Sequence, residues 1–259
     1  MAYHFLVLGS EKRQLFLKEL LEQKGHKVVQ AEDYQKGTYD AVLLPVPQTT
    51  QYLEACLEEL QNGQIVFGCN YPDGLVKKCA KKKIQLIDYM KAEGTAYLNS
   101  ISTAEGAIAE ALQWGQRSIY GSRCVVLGYG RCGEALAERL ERLHGIVTVV
   151  ERDGQKRAKA QVYGCESSDF SEAEPVLAQA DFIFNTVPAM VLTKQRLSLV
   201  SKDVTIIDIA SRPGGVDFEY CEKNKICAKL CLGLPGKYAP KSAAEILLKV
   251  IEKKMLKGA

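Results

Sequence analysis

Histidine is scarce in this chain of 259 residues: there are three, and none follows His144. The C-terminal part therefore offers no histidine for acid–base work. His26 and His144 sit in helix-to-strand connections, in KGHKVV and LHGIVTVV, and read as structural. No run of about 18 apolar residues occurs, so no membrane span is expected. The N-terminus, MAYHFLVLGS, has no charged leader and no cleavage site and runs straight into a strand pattern. It is not read as a signal peptide. The nine cysteines are scattered, odd in number and without a C-x-x-C pair. They read as reduced thiols of a cytoplasmic protein. Cys221, Cys227 and Cys231 have no histidine nearby, so no metal is expected there. A net charge of +3 is too small to argue for a nucleic-acid surface. The densest basic run, Lys77-Lys78 with Lys81 to Lys83, has no interleaved aromatics and reads as the solvated face of a short helix.

What is present is ample apolar material, 47% of residues, arranged in two alternating sets. In the first, strand patterns at 5–8, 27–30, 40–44, 65–67 and 84–87 alternate with helical periodicity over 11–24 and 49–60. Residues 103–119 then form one Ala- and Glu-rich helical stretch, closed by Gly121 and carrying the only tryptophan, Trp114. The second set has strands at 124–127, 147–150, 181–185 and 204–209 with helices between them. A last helix covers 242–257. This order implies α/β architecture: two doubly wound parallel-sheet domains joined by a long helix. Residues 1–100 are expected to form a flavodoxin-like substrate domain, completed by the helix over 241–259. Residues 101–240 are expected to form a Rossmann dinucleotide-binding domain. A ligand cleft is expected between such domains.

The sharpest motif is Gly128-Tyr-Gly130-Arg131-Cys132-Gly133. It follows a strand and opens a helix, and the next strand ends in Glu151, eighteen residues after Gly133. The spacing is that of a dinucleotide fingerprint. Gly128 makes the tight turn, Gly130 lets a pyrophosphate approach the backbone, and Gly133 lets the helix pack on the sheet. The helix start supplies N–H donors. Glu151 should accept from a ribose 2′-hydroxyl and repel a 2′-phosphate, which favours NAD. Arg152 and Arg131 are the alternative, as clamps for the phosphate of NADP.

Two further strand ends should face the cofactor. One runs into Thr186-Val187-Pro188, the other into Ala210-Ser211-Arg212. The second raises its own question, because Pro213, Gly214 and Gly215 fix the backbone just after an arginine. An arginine after a strand, in a pair of α/β domains, suggests the D-2-hydroxyacid dehydrogenase architecture. That chemistry needs a late histidine as acid–base, and the corresponding stretch, LGLPGKYAP (232–240), has none.

Together the motifs resemble the family of dipicolinate synthase A subunits. The stretches that carry the resemblance are LLPVPQTT (43–50), LNSISTAEGAIAEAL (98–112), VLGYGRCG (126–133), FNTVPAMVL (184–192), IDIASRPGGVDF (207–218) and LGLPGKYAP (232–240). The chain departs from the family at Gly9-Ser-Glu-Lys-Arg-Gln14, where Gly-Gly-Asp-x-Arg-Gln is expected, and at Ser102, where proline is expected. The resemblance implies an NAD- or NADP-dependent oxidoreductase that converts 4-hydroxy-tetrahydrodipicolinate to dipicolinate. It also implies, for a partner, a flavoprotein-like B subunit, together with a homo-oligomer and the mother cell of a sporulating bacterium. On this reading Arg212 clamps one substrate carboxylate, assisted by Ser211. Asn99, Ser100, Ser102 and Thr103, read as the start of the joining helix, bind the other. Glu105 is either a proton acceptor or the acid of a capping box with Ser102. Arg13 is a second cation, and Pro45 and Pro47 shape the wall. The alternatives are a catalytically weak dinucleotide-binding regulatory subunit, or another dehydrogenase of the hydroxyacid or alanine type.

Overall fold

A computed structural model of the chain describes residues 2–30, 39–46 and 60–256. Two compact units emerge: unit 1 comprises residues 1–99 and 235–259, unit 2 residues 100–234. Among the described residues no helix is long and apolar enough to cross a membrane.

Unit 1 is a five-stranded parallel sheet with helices on both faces. Its elements are β1 (His4–Val7), α1 (Lys12–Gln23), β2 (Lys27–Gln30), β3 (Ala41–Leu43), β4 (Ile65–Gly68), α2 (Asp73–Lys81) and β5 (Gln85–Asp88). The strand order is β2-β1-β3-β4-β5, so the winding reverses between β1 and β3. The helix expected over 49–60 and the expected wall residue Pro47 lie, but for Leu60, outside the described residues. Alternation along β1 divides the core. Phe5 and Val7 point to one face, Leu6 and Leu8 to the other. The Phe5 face is covered by α1 and by the C-terminal helix, Pro240–Leu256. That helix places Ala244, Leu247, Leu248, Ile251 and Met255 on the core, at the spacing of one helical stripe. Each large apolar side chain so buried contributes roughly 1.5–3 kcal/mol.

Unit 2 is a six-stranded parallel sheet. Its strands are β6 (Arg123–Leu127), β7 (Ile146–Val150), β8 (Glu166–Ser168), β9 (Phe182–Asn185), β10 (Thr205–Asp208) and β11 (Cys227–Leu230). The order β11-β10-β9-β6-β7-β8 reverses at β6. This is the doubly wound dinucleotide-binding topology. The register aligns the C-terminal ends of the four middle strands: Leu127 pairs with both Asn185 and Val150, and Asn185 with Asp208. Cys124, Val126, Phe182, Phe184 and Ile207 face one side of the sheet, while Val125, Leu127, Ile183 and Ile206 face the other. β8 and β11, the two edge strands, have no counterpart in the apolar runs of the sequence.

The joining helix differs from expectation. It runs from Thr95 to Trp114 and is α3 here. It starts eight residues before Thr103 and ends before Ile119. Ala104, Ala107, Ile108 and Ala111 seat its unit 2 portion on the core, and that stripe fixes the helix. Trp114 Nε1 donates to Glu110 at 3.0 Å, and Lys229 Nζ lies 4.2 Å from the indole centroid.

Candidate functional site

The turn from β6 into α4 (Arg131–Arg142) is built around three glycines. Gly128 has φ +89°, and a Cβ there would lie 2.7 Å from Thr186 Oγ1 and 2.8 Å from Val187 Cγ2. Only glycine gives both the left-handed backbone and the room. A Cβ on Gly133 would fall on the Gly128 carbonyl oxygen, so the helix sits directly on the turn. Gly130, the exposed N-cap of α4, has nothing within 4 Å of its would-be Cβ. The approach to the helix start is therefore open at the position that the fingerprint assigns to a pyrophosphate. Arg131 is exposed and Cys132 half-buried, with burial holding the Cys132 thiol above its ordinary value against the nearby Arg131 charge.

Glu151 is buried, and its carboxylate ties the glycine turn to the end of β7. Oε2 accepts from the Tyr129 N–H at 2.8 Å; Oε1 accepts from Arg152 and Asp153 N–H at 2.9 and 3.2 Å. Arg157 Nη1 donates to the Glu151 and Arg152 carbonyls and to Asp169, fixing that turn from below. Arg152 is left exposed. On the next strand end, Thr186 Oγ1 donates to the Leu127 carbonyl at 2.9 Å, with Val187 half-buried and Pro188 exposed. The residues at 128–133, 151–152 and 186–188 thus gather at the adjoining ends of β6, β7 and β9, as a dinucleotide requires.

The segment after β10 is organised by a residue that the sequence did not single out. Asp208 is fully buried, and three donors converge on it. Oδ1 accepts from Asn185 Nδ2 and from the Ala210 N–H, both at 2.9 Å; Oδ2 accepts from the Gly215 N–H at 2.7 Å. Asn185, equally buried, also receives the Val187 N–H on its Oδ1 at 3.1 Å. Gly214, at φ +89°, has no room for a Cβ, which would lie 2.6 Å from Asp208 Oδ2. A Cβ on Gly215 would meet the Ala189 carbonyl and Asn185 Nδ2, each at 2.5 Å. The Gly215 carbonyl accepts from Val191 and Leu192. Residues 210–215 are therefore tied to two strands at once. Ala210 is buried, Ser211 is exposed with its carbonyl taking the Gly214 N–H, and Arg212 is exposed with no hydrogen bond or ion pair among the described residues. The rigid turn thus presents a free guanidinium.

The α3 residues need correction. Ser102 and Thr103 are not at a helix start but in its third turn, and Ser100 is one turn in. Their backbone N–H groups belong to the helix interior and are not open to an anion. Ser100 and Ser102 are buried, Asn99 and Thr103 half-buried. Ser102 is no N-cap, so the capping box with Glu105 does not form. Glu105 is exposed and pairs with Arg139, its Oε1 3.6 Å from Arg139 Nε.

Two of the residues expected in the site, Arg13 and Pro45, lie in unit 1 where the winding reverses. Arg13, 4% exposed, is in the first turn of α1, and Pro45 lies against Gly9. Gln14 Nε2 bridges the Leu8 and Leu43 carbonyls at 2.8 and 3.4 Å, across the ends of β1 and β3. Glu11 was also missed; it approaches Arg13 Nη2 to 3.8 Å. Its only signal in the sequence was an acid at a helix start with an arginine two residues on.

The comparisons with known proteins agree with this geometry. Residues 95–219 match the NAD-binding domain of the D-isomer specific 2-hydroxyacid dehydrogenases. The chain is 34% identical over 230 residues to the dipicolinate synthase A subunit of Bacillus subtilis (strain 168), covering 83% of this chain and 77% of that one. Among solved structures, the dipicolinate synthase A subunit of Bacillus halodurans superimposes with a TM-score of 0.87 at 31% identity, over 97% of each chain. The corresponding structure from Bacillus subtilis gives 0.85 at 28%, over 99% of this chain and 97% of that one. Unit 2 thus carries an NAD-binding domain, and NAD or NADP is its cofactor.

Proposed function

The chain belongs to the family of dipicolinate synthase A subunits, and from that premise we propose that it forms dipicolinate from 4-hydroxy-tetrahydrodipicolinate. The net change is loss of one water and two hydrogens, the latter as a hydride and a proton. Bound NAD(P)+ supplies the hydride acceptor. The chain's own residues hold the dinucleotide and position the acid. Gly128, Gly130 and Gly133 leave the pyrophosphate its approach; Thr186, Val187 and Ala210 line the neighbouring strand ends. The buried Glu151 carboxylate disfavours a 2′-phosphate, so NAD is the preferred form.

The observation that carries this reading is the Asp208 knot, which fixes an unpartnered Arg212 just beyond the end of β10. A guanidinium fork matches a planar carboxylate, and aromatisation supplies driving force without a carbonyl-polarising histidine. Ser211 is the adjacent donor, and half-buried Thr103, also in unit 2, is a further polar contact. Buried Ser100 and Ser102, and Glu105 beside Arg139, enter this reading no further. By the resemblance the partner is a flavoprotein-like B subunit, and the place of action is the mother cell of a sporulating bacterium.

The test is reduction of nicotinamide on adding enzymatically made 4-hydroxy-tetrahydrodipicolinate, with and without a B subunit. Arg212→Lys keeps the charge and loses the fork. It should raise KM about ten-fold, equivalent to about 1.4 kcal/mol, with cofactor affinity unchanged. Cofactor binding without any reduction in either arm would favour a regulatory subunit instead.

A further inference from the structure

Four buried side-chain oxygen and nitrogen atoms lack a hydrogen-bond partner among the described residues, and all four belong to unit 1: Glu11 Oε1, Arg13 Nε, Gln14 Oε1 and Tyr89 Oη. Three of them sit on one turn at the start of α1. A buried guanidinium nitrogen without an acceptor is costly, and a fold keeps one where something else completes it. Arg13 carries such a group. Among the described residues Glu11 is the only carboxylate facing it, yet at 3.8 Å it is beyond hydrogen-bond reach. The guanidinium lies over Gly236, whose would-be Cβ is 3.7 Å from Cζ. That glycine belongs to the LGLPGKYAP stretch. Glu11 is the more exposed of the pair, with 37% of its side chain accessible against 5% for Arg13.

We propose that Arg13 is the cation of a carboxylate-binding subsite in unit 1, and that Glu11 occupies it at rest and gives way to a ligand carboxylate with uptake of a proton. The inference deepens the reading above, and takes from it only that the ligand is a pyridine carboxylate. The titratable groups facing Arg13 among the described residues are Glu11 at the N-cap of α1, Cys69 after β4 and Tyr89 after β5. Burial already raises the Glu11 carboxyl above its ordinary value, opposed by the Arg13 charge and by hydrogen bonds from backbone N–H groups. A ligand carboxylate on Arg13 cancels the cation that Glu11 faces and adds an anion beside it. Both changes raise its proton affinity further. Tyr89 is pushed up by burial and stays neutral throughout. Affinity for the ligand must then rise as pH falls through the Glu11 titration.

Calorimetry of the full chain with dipicolinate as probe, in two buffers of different ionisation enthalpy, reads this directly. The wild type should bind with net proton uptake. Glu11→Gln should bind at least as tightly with the uptake abolished and a flat pH profile. Arg13→Gln should bind at least about ten-fold more weakly, with NAD affinity unchanged. Arg13→Lys, which keeps the charge of a buried site, serves if the glutamine variant does not fold, and should also weaken binding. Wild-type uptake persisting in Glu11→Gln, wild-type affinity in an Arg13 variant, or no binding by the wild type would each overturn the inference. Proton-coupled binding without nicotinamide reduction would leave the subsite standing and remove only the proposed reaction.

Discussion

Both units end a parallel sheet in a polar knot, and the two knots are opposites. In unit 2 every polar atom of Asp208 and Asn185 has a partner, and the knot exists to hold a backbone still. In unit 1 three side-chain atoms at the start of α1, Glu11 Oε1, Arg13 Nε and Gln14 Oε1, are buried and unmatched among the described residues. One site is finished by the chain itself and presents its arginine outward. The other is left unfinished and keeps its arginine inside. A satisfied buried network rigidifies; an unsatisfied one stores the free energy that a ligand can release.

The finished side should break hardest. Asp208→Ala leaves three N–H donors without their acceptor in a site that admits no side chain at Gly214 or Gly215. At about 1–3 kcal/mol for each unmet donor, partly relieved by relaxation, unit 2 should lose about 3–5 kcal/mol. Chemical denaturation followed by unit 2's Trp114 fluorescence would show it. A loss under about 1 kcal/mol would mean that the turn holds itself and the knot is incidental.

Asp208 also shows where the sequence stops being readable. Within VTIIDI its carboxylate looks like any polar residue near a strand end. Nothing local says that the donors at Asn185, Ala210 and Gly215 will meet there, because a parallel register brings them together. The glycine cradle was readable because its logic is local: turn, bare backbone, helix. The strands were readable from apolar runs, except for β8 and β11. As edge strands these have little apolar character, with sequences ESS and CAKL. The start of α3 was misplaced because TAYLNSIS has poor helix formers and two serines that imitate a cap, whereas packing and the continuing turn decide the matter. Glu11 and Arg13 were only half visible, since burial turns an ordinary helix start into a strained pair.

A milder perturbation tests how finished the cofactor side is. Glu151→Gln keeps an oxygen that can accept from Tyr129, so the turn should survive. The charge that disfavours a 2′-phosphate is gone. The ratio of NAD to NADP affinity should therefore fall by about ten-fold, or about 1.4 kcal/mol, with a modest loss of thermal stability, because the Arg152 and Asp153 N–H groups then face an amide NH2 instead of an acceptor. Equal ratios in the two proteins would show that Glu151 only braces the turn. The preference would then rest on Arg152 and Arg131.

The smallest effect belongs to the unfinished side, and its sign separates the two knots. Gly214 and Gly236 both lie in stretches that carry the family resemblance, yet their surroundings differ. At Gly214 a side chain is barred by φ and by Asp208. At Gly236 the backbone is helical, and a methyl group would meet Arg13 Cζ and Nη2 at 3.7 Å, an ordinary contact. Alanine is also the better helix former by up to about 1 kcal/mol. Gly236→Ala should therefore leave stability unchanged or raise it by up to that amount, and leave carboxylate affinity as it was. A thermal melt and the same calorimetry decide it. Destabilisation by the methyl alone would mean that Arg13 is packed as tightly as Asp208. The unmatched nitrogen would then have no freedom to exchange one carboxylate for another.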